Sequence, residues 1–127
     1  MTERNQIFKC EICGNIVEVL RGGAGELFCC GAAMKIFAEN SVDAVSEKHL
    51  PVAIKTARGA KIKIGETAHP MENSHFIEWI EVATADDRNF KKFLKPGEAP
   101  TAEFCGDEKI ISSRAFCNLH GIWKIEI

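Results

Sequence analysis

The chain has no tyrosine, only four histidines and four prolines among its 127 residues, and no apolar run long enough to span a bilayer. Without tyrosine, no phenol can donate a proton or a hydrogen bond at any site the chain builds. Without a long apolar run, no membrane span is expected. The opening Met1-Thr2-Glu3-Arg4-Asn5-Gln6 has none of the apolar core of a signal peptide, so a cytoplasmic location is expected. A formal net charge of -2 provides no basic footprint for nucleic acid. Internal repeats, low-complexity segments and helices of ordinary length are also missing from the pattern.

Cysteine is what the chain has: six residues, in two groups. In a cytosolic chain such cysteines are more often metal ligands or reactive thiols than disulfides. Cys10, Cys13, Cys29 and Cys30 lie in the first quarter, and Cys105 and Cys117 near the end. All four histidines follow Cys30. Two metal chemistries are therefore expected: an all-sulfur site, then a mixed nitrogen and sulfur site.

The first segment reads as a small module. Ile7-Phe8-Lys9-Cys10 is a short strand entering a Cys-x-x-Cys knuckle, with Gly14 freeing the backbone after Cys13. Ile16 to Leu20 is strand-like, and Arg21 to Gly25 is a turn. A piece this small buries too little apolar surface to fold alone, so a metal staple is expected. Four thiolates suit tetrahedral zinc or a single iron, and the spacing leaves both open. Cys29 and Cys30 are awkward neighbours, because adjacent side chains on an extended strand point to opposite faces. The backbone must bend there for both to reach one metal.

From Asn40 onward the pattern is mostly β. Val42 to Val45 leads into Ser46-Glu47-Lys48-His49-Leu50-Pro51. Val52 to Thr56 and Ala60 to Ile64 read as strands around an Arg58-Gly59 turn. Phe76 to Val82 is a longer strand, too apolar for simple alternation. Ala85-Asp86-Asp87 and Lys95-Pro96-Gly97 are turns, and Ile110-Ile111 and Trp123 to Ile127 complete the set. Short strands with regular turn signals argue for an all-β sandwich.

The histidines gain weight together. His49 precedes Pro51, His69 adjoins Pro70, and His75 closes the same short segment. His120 lies three residues after Cys117 beside Gly121. Irregular backbone next to Pro and Gly is where a scaffold aims ligands. Four imidazoles and one thiolate exceed the tetrahedral needs of zinc and suit a five-coordinate iron with one open position. Cys105 has no place in either set and reads as a small core or loop residue, and Met34 and Met71 read as gap-fillers.

Three motifs carry a family resemblance: Glu47-Lys48-His49-Leu50-Pro51, His69-Pro70-Met71 through His75-Phe76-Ile77-Glu78-Trp79-Ile80, and Cys117-Asn118-Leu119-His120-Gly121-Ile122-Trp123. They resemble the superoxide reductase family, also called desulfoferrodoxin or neelaredoxin. Cys10-Glu11-Ile12-Cys13 with Cys29-Cys30 resembles desulforedoxin, a rubredoxin-like iron module, so the likeness to the two-iron form extends over almost the whole chain. The resemblance implies a desulforedoxin-like module over 1–37 and an immunoglobulin-like β-sandwich over 38–127, in a homodimer.

It also implies two irons per chain, one on Cys10, Cys13, Cys29 and Cys30, the other on His49, His69, His75, His120 and Cys117, and leaves calcium open. The implied reaction is one-electron reduction of superoxide to hydrogen peroxide without dioxygen release, with a rubredoxin-like donor restoring the ferrous state. Lys48 is implied to draw superoxide in and assist protonation, and Glu47 to approach the ferric iron as a sixth ligand. Taken as residues alone, Glu47-Lys48 is an ordinary solvated charge pair. Asn118 and Leu119 are expected to offer backbone donors to the Cys117 sulfur. Two other readings remain: a zinc ribbon on a β-sandwich with no redox role, and a non-catalytic rubredoxin-like electron carrier.

Overall fold

The computed structural model describes residues 1–41 and 48–127 and divides into two compact units, Met1–Ala38 and Glu39–Ile127. The expected Val42 to Val45 segment and Glu47 lie outside the described residues. No helix occurs among the described residues, and the fold is all-β.

In the first unit the strands are β1 (Ile7–Lys9), β2 (Ile16–Glu18), β3 (Phe28–Cys29), β4 (Ala32–Ala33) and β5 (Lys35–Ile36). β1 is central, with β2 and β5 antiparallel on either side, while β3 and β4 form a separate hairpin. Strands of two or three residues make few ladder bonds. Ile7, Cys10 and Val19 are its buried apolar residues, whereas Ile12, Val17, Leu20, Phe28 and Ile36 are exposed. So little apolar burial falls far short of the entropy lost in ordering the unit, and a metal cross-link through the four sulfurs would supply the difference.

The second unit is an immunoglobulin-like sandwich. Its strands are β6 (Glu39–Asn40), β7 (Pro51–Thr56), β8 (Gly59–Ile64), β9 (Ile77–Thr84), β10 (Asn89–Phe93), β11 (Thr101–Cys105), β12 (Ile110–Cys117) and β13 (Gly121–Glu126). One sheet has the order β10-β9-β12-β13-β6 and the other β11-β8-β7. All pairings are antiparallel except β13 with β6. The inner faces meet in a core of Ile62, Ile64, Ile77, Ile80, Val82, Leu94, Ala102, Ala115 and Cys117. Each large aliphatic side chain buried there contributes about 1.5–3 kcal/mol. Cys117 belongs to this core, so a rigid apolar scaffold fixes the end of β12 where the sulfur sits.

The other face of the five-stranded sheet carries a charge ladder in direct cross-strand register. Lys91 on β10 pairs with Glu81 on β9 at 3.2 Å, Glu81 pairs with Arg114 on β12, and Arg114 reaches Glu39 at 3.0 Å. Glu81 and Arg114 are both buried, and removing one partner would strand the other charge. A one-residue slip of β9 against β12 would break this ladder, which pins the register of the two strands flanking the site.

Four strand assignments differ from the sequence reading. The β7–β8 turn is Ala57-Arg58, and Gly59 pairs with Thr56 inside the ladder. Gly59 is there because a Cβ would come within 2.0 Å of the Phe104 carbonyl oxygen on β11. β10 and β11 were not anticipated, and β12 runs well past Ile111. Cys105 is exposed at the end of β11, so it is neither a core nor a loop residue.

Candidate metal centres

In the first unit, the Cys-x-x-Cys knuckle is closed by two backbone bonds, Gly14 N–H to the Cys10 carbonyl at 2.9 Å and Cys10 N–H to the Asn15 carbonyl at 2.8 Å. Gly14, at φ 84°, takes the left-handed conformation this reversal requires. The adjacent cysteines are reconciled by a two-residue hairpin loop. Cys29 pairs with Ala32, leaving Cys30 at φ 55° and Gly31 at φ 75° in the loop. Positive φ at both central positions is the type I′ signature, and it turns Cys30 out of the strand alternation to the same side as Cys29. The Cys13 and Cys29 sulfurs lie 3.6 Å apart, and those of Cys29 and Cys30 lie 3.9 Å apart.

The four sulfurs lie within 4.8 Å of one another. Amide donation from Cys13 lowers the Cys10 thiol to about 6. Sharing with the Cys13 sulfur pushes Cys30 up to about 12. Cys10 ionises readily while Cys29 and Cys30 resist a further negative charge, and a cation would bring them to the thiolate form together.

In the second unit the histidines come from irregular segments at strand ends, and Cys117 is the last residue of β12. His49 lies just before β7, His69 and His75 lie between β8 and β9, and Cys117 and His120 flank the β12–β13 turn. Gly121, at φ 82°, closes that three-residue turn. One ligand atom each from His49, His69, His75 and Cys117 lies within 4.8 Å of the others. His120 joins them, its Nδ1 being 3.0 Å from His49 Nε2 and 3.6 Å from Cys117 Sγ. The rings sit edge to face around a square of neighbours, with centroid separations of 4.7–5.1 Å for the His49–His69, His69–His75, His75–His120 and His49–His120 pairs.

His69, His49 and the His120 backbone are supported from behind. His69 Nδ1 is 2.7 Å from the Pro70 carbonyl oxygen, which can only accept. The proton is therefore on Nδ1, and the lone pair of Nε2 faces the cluster. Trp123 stacks on His49 with centroids 4.7 Å apart and planes at 16°, and its indole N–H donates to the His120 carbonyl at 3.1 Å. Gly65 braces Lys48-His49-Leu50: its N–H donates to the Leu50 carbonyl at 2.9 Å, and a Cβ there would lie 2.5 Å from the Lys48 carbonyl oxygen.

Two buried side-chain nitrogens lack any hydrogen-bond partner among the described residues, His69 Nε2 and His75 Nε2. Buried acceptors are rarely left unpaired, and an ion is among the standard explanations. Burial pushes His69 down to about 4. It also lowers His75, helped by the neighbouring His120 and His49 rings. Both imidazoles are thus held neutral, the state that ligates metal. Burial raises the Cys117 thiol, while the Leu119 and His120 backbone amides pull it back. A buried thiol with two amide donors and four imidazole neighbours fits a cation well. The Asn118 backbone N–H is not among those donors; it goes to the Phe76 carbonyl at 3.2 Å.

Lys48 is half-buried at the rim, and its charge is felt at His75. The braces from Pro70, Gly65, Trp123 and the Asn118 side chain were not anticipated. The Pro70, Trp123 and Asn118 positions had a sequence signal, their place inside the motifs, and Gly65 had none.

An all-β chain with a four-sulfur knuckle and a separate four-imidazole, one-thiolate cluster defines a two-site metalloprotein of mixed ligand chemistry. The comparisons with known proteins identify the class further. The model "Desulfoferrodoxin, N-terminal domain" matches residues 2–37, and the model "Desulfoferrodoxin" matches residues 41–126. The chain belongs to the desulfoferrodoxin family. It is 55% identical to desulfoferrodoxin of Desulfarculus baarsii over 126 residues, covering 99% of each chain. It is 54% identical to desulfoferrodoxin of Nitratidesulfovibrio vulgaris, again over 99% of each. Among solved structures, the superoxide reductase from Treponema pallidum superposes with a TM-score of 0.79 at 26% identity, covering 99% of this chain and 100% of that one.

Proposed function

We propose that the chain is a superoxide reductase that works at the His49, His69, His75, His120 and Cys117 cluster. The observation that carries this is the pair of buried, unpartnered imidazole nitrogens facing a buried sulfur. Relatives named desulfoferrodoxin along the full chain support the reading. Bound there, iron supplies the electron that, with two protons, converts superoxide to hydrogen peroxide without releasing dioxygen. The four imidazoles and the thiolate would hold that ion, and a single thiolate would leave a ferrous site with net positive charge toward an anionic substrate. The Cys117 thiolate would donate electron density to an iron held there, and the Leu119 and His120 amides at its sulfur would limit that donation.

Lys48 adds positive charge beside the half-buried rim, where it attracts superoxide and delivers a proton to the product. Glu47, which lies outside the described residues, would on the strength of the resemblance serve as a carboxylate ligand of the oxidised state.

The four-cysteine site of the first unit holds a second iron that staples the unit and is not needed for superoxide reduction. The exposed Ile12, Leu20, Phe28 and Ile36 of that unit support a homodimer. A rubredoxin-like protein of the cytoplasm re-reduces the catalytic site. Sedimentation of the iron-loaded chain reads the oligomer. The function is tested by generating superoxide by pulse radiolysis over chain loaded with ferrous ion or with zinc. Fast consumption of superoxide by the iron form alone is expected. Equal inertness of both forms would refute the proposal and favour a metal-stapled binding module.

A further inference from the structure

We infer that Asn118 is a positioning residue whose side-chain amide clamps the His75 loop onto the Cys117–His120 turn, so that imidazole and thiolate arrive as one preformed half of the site. This rests on reading the cluster as a metal centre. The Asn118 Oδ1 accepts from the Phe76 N–H at 2.9 Å, and its Nδ2 donates to the Ser74 carbonyl at 3.1 Å. Its backbone N–H donates to the Phe76 carbonyl at 3.2 Å. The three bonds fall on the residues immediately before and after His75, across a separation of 42 residues between Phe76 and Asn118.

The partners fix which way the amide points. Phe76 offers a donor and Ser74 an acceptor, so a reversed amide would satisfy neither.

His75 needs such a clamp more than His69 does. The His69 ring is oriented by its own Nδ1 contact with the Pro70 carbonyl. The Nε2 of His75 is buried and unpartnered, so its aim depends on the backbone that carries it. On the far side that backbone is closed by mutual bonds between Glu72 and His75, at 3.0 and 3.1 Å. On the near side it is closed by Asn118. Because Asn118 follows Cys117 directly, the same clamp sets the loop against the sulfur.

The test uses Asn118→Ala, which loses both side-chain bonds, and Asn118→Asp, which has the same shape and keeps only the acceptor for Phe76. Two quantities are read: amide hydrogen exchange at Phe76 in the metal-free chain, and the rate at which a chelator removes ferrous ion from the loaded chain. Asn118→Ala should raise Phe76 exchange by more than about tenfold, with β10 and β13 amides unchanged. It should also speed metal loss about 10–100-fold, the usual cost of removing a group that supports a ligand. Asn118→Asp, which should fold as the parent does, should fall between. Wild-type Phe76 exchange in both variants, or faster exchange spread evenly over the sandwich with metal loss unchanged, would overturn the assignment. A parent chain that takes up no ferrous ion would instead refute the metal reading, and Phe76 exchange in the metal-free chain would still decide the clamp.

Discussion

Cys13 and Cys30 stand exposed on turns beside strands of two or three residues, whereas Cys117 is fully buried at the end of an eight-residue strand. The first unit has three buried apolar residues to hold its turns in place. The second closes two sheets on a continuous aliphatic core and adds a buried charge ladder before any ligand is considered. In the first unit the ligands organise the backbone. In the second the backbone organises the ligands and leaves two nitrogens without partners. A stapling site tolerates exposure, because its role is to lower the entropy of the open chain. A site for chemistry needs donors held in place before the substrate arrives.

The largest effect expected from this contrast is at Cys117. Cys117→Ser replaces a soft thiolate by a hard, far less acidic hydroxyl. Superoxide reduction by the loaded chain should fall by more than the roughly 100-fold that a lost supporting bond costs. Cys105→Ser, at an exposed strand end, should leave the rate unchanged. Stopped-flow or pulse-radiolysis rates decide this, and equal rates in both variants would remove Cys117 from the site.

Next comes Cys13→Ser. Breaking one ligand of the stapling site should unfold the first unit while superoxide reduction stays within about twofold, because structural metal binding is itself folding free energy. Amide exchange resolved by unit, beside the rate, gives the answer. A first unit that keeps its protection would show that its few apolar contacts suffice.

Lys48→Ala should slow capture by about threefold to tenfold, since an attraction of about 0.7–1.4 kcal/mol between unit charges near a wetted rim translates into that range. The dependence of the rate on salt should also weaken, as Debye screening acts on the lost charge. An unchanged rate and salt slope would make Lys48 a surface charge only.

The smallest effect concerns pH in the metal-free chain. Burial lowers His69 from 6.5 to about 4. The unfolded chain therefore binds more protons between about pH 6.5 and 4, and stability falls as the pH drops through that window. Urea midpoints of the metal-free second unit at several pH values should decline on acidification, and His69→Gln should flatten the decline.

The two ligand sets were legible in the sequence because thiols and imidazoles next to Pro and Gly are rare and chemically committed. The sandwich was legible from short strands separated by regular turn signals, with the apolar run at Phe76 to Val82 marking a strand covered on both faces. Less visible were β10, whose Lys91 and Lys92 hide a paired strand, and the middle of β12. There Ser112, Ser113 and Arg114 are buried although polar. Ser113 is satisfied by the Glu81 carbonyl at 2.9 Å, and Arg114 by Glu81 and Glu39. Pairing across strands decides such residues, and a single sequence does not display it. The same holds for Gly59, read as a turn residue and found in a ladder too tight for a Cβ. At the site, the bend at Cys30 was foreseen as a requirement, but the hairpin that supplies it was not. The Asn118 clamp depends on a register 42 residues away.

The most direct test is the yield of hydrogen peroxide per superoxide consumed by ferrous-loaded Cys13→Ser and Cys117→Ser proteins, with dioxygen followed alongside. One peroxide for each superoxide, with no dioxygen evolved, is expected from Cys13→Ser, and no superoxide consumption above background from Cys117→Ser. One peroxide for every two superoxides with dioxygen released, or loss of the reaction in Cys13→Ser at full occupancy of the second site, would contradict the account.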